Sequence, residues 1–169
     1  MRQTIAFQAT AFEAQPVQVQ VDPNGGPVDP DATPVVVLVF QSGPNVVLTV
    51  PMSVTDASNT MNAFSEAEPH RGKLADVQWQ PQPAGLPEGM FWMLAPAVVG
   101  ISVTPPQPTP EGVIPHWTLT FEDADGSQVQ VAVSDAITVQ MIRGLSDAVN
   151  ADDEEDEEQS DQLEHPEVD

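Results

Sequence analysis

The chain has 169 residues and a formal charge of −22, set by 26 acids against four Lys and Arg, and it contains no cysteine. That length fits one ordinary domain or two very small ones. The absence of cysteine excludes a disulfide framework, a thiolate nucleophile and a Cys-ligated metal. The charge speaks against autonomous nucleic-acid binding and against anionic membrane surfaces, because Lys and Arg drive both.

Eighteen prolines and ten glycines favour short strands and many turns over long helices. The N-terminus lacks an apolar run of signal-peptide length, since Gln8 and Thr10 interrupt it. Neither Val35–Phe40 nor Gly89–Ile101, the latter broken by Pro96, approaches the ~20 residues that span a bilayer. The expectation is a soluble protein, cytoplasmic or part of a virion and not visibly secreted.

In chain order, Val17, Val19 and Val21 alternate with glutamines at the period of a half-buried strand. A Gly- and Pro-rich loop follows to Asp31. Val35–Phe40 is a continuous β-branched run suited to a central strand. Gly43-Pro44-Asn45 turns the chain, and Val46–Met52 runs back. Ala57, Met61, Phe64 and Ala67 then recur at helical spacing, with Ser53, Thr55 or Asp56 as N-cap and Pro69 as limit. Leu74–Gln80 alternates and reads as a strand or a spacer.

The order of events recurs. Ile101 and Val103 form an alternating stretch ending at Pro105. Pro105–Pro110 reads as a stiff polyproline II connector. Trp117, Leu119 and Phe121 alternate, Asp125-Gly126 marks a hairpin turn, and Val129, Val131 and Val133 alternate again. A second helix is expected from Ser134 or Asp135, with Met141, Ile142, Leu145 and Val149 on one face. A shift of 81 lays Pro34–Glu68 over Pro115–Val149 without a gap, with seven identities in 35 pairs, among them Leu38 on Leu119, Phe40 on Phe121 and Ser53 on Ser134. A shift of 82 sets Val19 and Val21 on Ile101 and Val103.

These patterns predict a mainly β fold with two short helices (α+β). Two related strand–strand–hairpin–helix halves would pack about a pseudo-twofold axis, each near the size at which a lone core is marginal. The boundaries are 1–68 for the first unit, 69–84 for a linker and 85–149 for the second unit. Residues 150–169 form an acidic tail expected to be disordered. Eleven of the acids lie from Asn150 onward with no Lys or Arg, which leaves about −11 on the body.

Motifs for chemistry are sparse. His70, His116 and His165 have no partner at i,i+4, and there is no HExxH, GxSxG, P-loop or GxGxxG string. Asp123-Ala124-Asp125-Gly126 fails as a calcium loop, because Phe121 and Ala132 stand where oxygen ligands are required. Asp22, Asp29 and Asp31 in the Gly- and Pro-rich loop together offer oxygens for a hard cation, but acidic loops of this kind are common and the expectation is no metal. His70-Arg71-Gly72-Lys73 is the sole basic cluster in the sequence and reads as solvated linker.

The densest large-apolar cluster is Phe91-Trp92-Met93-Leu94, within the bulky run Met90–Leu94. It has too many consecutive bulky side chains for a strand with one wet face. Either it is buried on both faces, or Phe91, Trp92 and Met93 form a partner-binding surface. The expected role is therefore a non-enzymatic structural or protein-interaction component of a larger assembly, such as a virus or phage particle, with no cofactor and no metal. Its partner would be another protein or a second copy, not nucleic acid or membrane. The alternative is an acidic nucleic-acid mimic that occupies a DNA-binding protein.

Overall fold

The computed structural model describes residues 2–17, 34–70, 79–86 and 89–164, with 151–164 described by backbone alone. The elements, in order, are β1 (Thr4–Gln8), β2 (Ala11–Pro16), β3 (Val36–Ser42), β4 (Val46–Met52), α1 (Val54–Ala67), a 3-10 turn (Glu68–His70), β5 (Trp92–Leu94), β6 (Val98–Thr104), β7 (Gln107–Thr109), β8 (Gly112–Ile114), β9 (Trp117–Asp123), β10 (Gln128–Val133) and α2 (Asp135–Glu164). The fold is mainly β with two helices.

Two four-stranded sheets carry the architecture, with orders β2-β3-β4-β5 and β6-β9-β10-β1, and β7-β8 form a separate hairpin. Each large sheet is built on an antiparallel hairpin. In the first, Leu38 pairs with Val50 and Phe40 with Leu48. In the second, Leu119 pairs with Val131 and Phe121 with Val129. One flanking strand is antiparallel in each case, placing Phe12 beside Phe40 and Ile101 beside Phe121. The other flanking strand is parallel: β5 lies along β4 and β1 along β10. Both sheets therefore take strands from each side of the 69–84 connector.

Period-2 alternation explains the core. Leu38, Phe40, Leu48 and Val50 face inward from one sheet, and Leu119, Phe121 and Val131 from the other, all essentially buried. The sheets meet where the Phe40 and Phe121 rings lie 6.0 Å apart. Ala57, Phe64, Met141 and Leu145 bring both helices into the same cluster. α2 packs across β2 and α1 across β6, and the helices touch each other. Each large side chain buried here contributes roughly 1.5–3 kcal/mol.

The helix starts are capped alike. The Ser53 hydroxyl accepts from the Asp56 N–H and the Ser134 hydroxyl from the Ile137 N–H, both at 3.2 Å. These bonds satisfy donors that the first helical turn leaves open.

Two expectations need correction. α2 runs from Asp135 to Glu164, past the end of its apolar face. The sequence places no Pro or Gly between Gly144 and Pro166, and extending an existing helix needs no new nucleation. Repulsion between acids costs only a few tenths of a kcal/mol per i,i+4 pair. The Pro105–Pro110 connector instead contains β7, paired to β8 with Pro108 opposite Val113. A two-stranded ribbon leaves one edge of each strand free, so the missing proline N–H breaks no ladder. The strands Thr4–Gln8 and Ala11–Pro16 were not anticipated. The stretch expected as a strand at Val17–Val21 lies outside the described residues after Val17, and Leu74–Gln80 lies outside them except for Trp79 and Gln80.

Candidate partner-binding site

Among the described residues β5 is the outermost strand of its sheet and pairs with β4 alone. Parallel register sets Trp92 beside Val46, Met93 beside Val47 and Leu94 beside Leu48. Because Val46 and Leu48 are buried, Trp92 and Leu94 share the core side, while Met93 shares the outward side with Val47. Leu94 reaches the core and is partly buried. Trp92 remains 45% exposed, Met90 50%, Phe91 55% and Met93 65%. Four consecutive bulky apolar side chains thus stand in solvent at a sheet edge. Of the two readings open for this segment, full burial does not hold.

The edge is anchored rather than loosely appended. The Trp92 N–H donates to the Asn45 carbonyl at 2.7 Å. The connector that leads to it is pinned by two bonds, from the Gln82 N–H to Gln8 Oε1 at 2.7 Å and from the Ala84 N–H to the buried Ser42 Oγ at 2.9 Å. Gly43 lets this connector approach closely. A Cβ at that position would fall 2.9 Å from the Pro83 Cβ, and its φ of 65° suits glycine.

The histidines are not brought together. His70 ends the 3-10 turn in solvent, and His165 lies outside the described residues. The His116 ring packs on Trp79 at 4.9 Å, with Nδ1 3.2 Å from the Trp117 carbonyl. Among the described residues no group of three His, Asp or Glu is placed to hold a metal. Asp123–Ser127 is a hairpin turn in which the Asp125 carboxylate accepts from the Ser127 N–H at 2.7 Å. Asp22, Asp29, Asp31, Arg71 and Lys73 fall outside the described residues.

The acids from Asp152 to Glu158 sit on the extension of α2. Among the described residues no helix is long and apolar enough to cross a membrane.

Comparison with protein-family models, curated proteins and solved structures finds no match for this chain. The crowding of consecutive bulky apolar residues marked Phe91, Trp92 and Met93 in the sequence. It did not show that β5 is an edge, because that depends on pairing between residues 46 positions apart, such as Val46 and Trp92.

Proposed function

We propose that this chain is a non-catalytic protein-interaction component of a larger assembly, docking a partner through Met90–Met93 on the β5 edge. The observation that carries this is the exposure of four consecutive large apolar residues at a sheet edge. Edge strands offer unpaired backbone groups, and proteins ordinarily blunt them with charge, proline or cover. Apolar side chains left in water at such a place are characteristic of a surface that another protein covers.

A second line of support comes from reading the chain as a duplicated β-β-β-β-α unit whose first strands are exchanged about a pseudo-twofold axis. The two hairpins share one register at a shift of 81, with Val36 opposite Met52 and Trp117 opposite Val133. The flanking strands correspond at a shift of 89, which sets Thr4 against Met93, Phe12 against Ile101 and Ala14 against Val103. In this reading Arg2, Gln3 and Thr4 occupy on one edge the places that Phe91, Trp92 and Met93 occupy on the other. The same architecture is thus completed on β1 with polar side chains, so folding alone does not account for the apolar set on β5.

The test replaces Phe91→Arg, Trp92→Gln and Met93→Thr, copying the residues of the polar edge. The expected result is unchanged melting temperature together with loss of a stable complex, seen by light scattering coupled to size exclusion. A wild-type chain that is strictly monomeric and retains no partner counts against the proposal.

A further inference from the structure

The outward face of the β2-β3-β4-β5 sheet is as unusual as its edge. Val37 and Val39 on β3 and Val47 on β4 alternate with buried core residues, so they point away from the core and stay partly exposed. Register places Val37 opposite Pro51, and Val47 between Gln41 and Met93. Val47 and Met93 thus carry the β5 edge onto an outward face that holds Val37, Val39 and Pro51 together with Gln41 and Thr49. Both helices contribute to the core on the other side of the sheet.

The second sheet makes the contrast. The positions matching Val37, Val39, Val47 and Met93 in hairpin register are Thr118, Thr120, Gln128 and Thr4. At these four places, held in the same register, one sheet carries Val or Met and the other Thr or Gln. Sheet stability therefore does not demand valine at these places.

Charge selects the occupant. The four strands of this sheet carry a single charged residue, Glu13, and no cation. The chain around them bears −22. A field of that sign speeds the approach of a cationic partner and repels a second copy of the same chain. The Val and Met side chains then supply the short-range contact, and the side of β5 that no described strand covers can accept an added strand through main-chain hydrogen bonds.

We infer that the outward face of this sheet extends the β5 site and takes an extended apolar segment, flanked by Lys or Arg, from another protein. This rests on the β5 edge being the docking element. The probe is a pair of synthetic eleven-residue peptides with the same alternating Val-Thr centre, one flanked by lysines and one by glutamates. Binding to the full chain is measured by calorimetry at physiological and at high salt.

The lysine-flanked peptide is expected to bind at least about tenfold more tightly, with the difference shrinking in high salt. The variant Val37→Thr, Val39→Thr, Val47→Gln, Met93→Thr, which copies the polar sheet, is expected to keep its melting temperature and lose about tenfold or more in affinity. Equal binding of both peptides, or no binding of either, overturns the cationic partner. Wild-type dimerisation abolished in the four-site variant makes a second copy the occupant and also overturns it. Binding lost in Phe91→Arg/Trp92→Gln but unchanged in a Val37→Thr/Val39→Thr/Val47→Gln variant sinks the extended face while leaving the edge proposal standing. Binding unchanged in both variants removes the two together.

Discussion

The indole Nε1 of Trp117 donates to Oδ1 of Asp135 at 2.8 Å, joining the start of β9 to the first residue of α2. Trp117 is only 3% exposed, and its ring also packs on Phe64 of α1 at 5.5 Å. One side chain thereby ties a strand to both helices. Asp135→Ala leaves a buried N–H without this acceptor and removes an anion from a helix N-terminus, so a loss of about 1–3 kcal/mol is expected in urea unfolding. In a Trp117→Phe background the same substitution is expected to cost less, because the donor is already gone. Equal costs in the two backgrounds would show that the bond contributes nothing.

Gly144 meets β2 at close range, where an added Cβ would lie 2.5 Å from the Ala14 Cβ. Alanine in a helix interior is intrinsically better than glycine by about 1 kcal/mol, but here overlap decides the sign. Gly144→Ala is expected to destabilise by about 1–3 kcal/mol. Adding Ala14→Gly opens the space and should recover most of that loss. Chemical denaturation of the two single variants and the double variant measures the coupling.

The two serine caps make comparable bonds at the two helix starts. Ser53→Ala and Ser134→Ala are each expected to cost about 1 kcal/mol, additively, since the caps share no hydrogen bond. Thermal unfolding of the two variants and their combination checks this. A negligible effect at either end means that other groups hold that terminus.

At the second hairpin turn the Ser127 N–H, and after it the Ser127 hydroxyl, hold the Asp125 carboxyl below its ordinary value of 3.8. A depressed carboxylate favours the folded state above the unfolded-state value and loses that contribution as pH falls through the folded value. Below about pH 4, Asp125→Asn should therefore show a flatter dependence of melting temperature on pH than wild type. Identical acid slopes would remove this turn from the acid response.

Legibility in the sequence followed the range of the interactions. The hairpins at Val36–Met52 and Trp117–Val133, both helix starts and the serine caps were readable, because alternation, turn residues and capping act within a few positions. The strands Thr4–Gln8 and Ala11–Pro16 escaped notice. Thr4, Ala6 and Gln8 keep only weak alternation around Ile5 and Phe7, and their place comes from partners far away, with Phe7 beside Val131 and Phe12 beside Phe40. The apolar period of α2 stops near Val149, while its helical backbone continues to Glu164.

For the site, bulk and order in Met90–Leu94 marked the segment, but not its surroundings. The sequence alone determined a β-rich chain with two capped helices and one crowded apolar stretch, since those depend on local period and side-chain chemistry. Tertiary structure alone decided that this stretch lies on an edge, that Met93 joins Val47 on an outward face, and that β1 and β5 each complete the sheet built by the other part of the chain. The reason is that strand pairing is a contract between distant backbones, and a side chain's exposure is settled only when its neighbours across the ladder are in place.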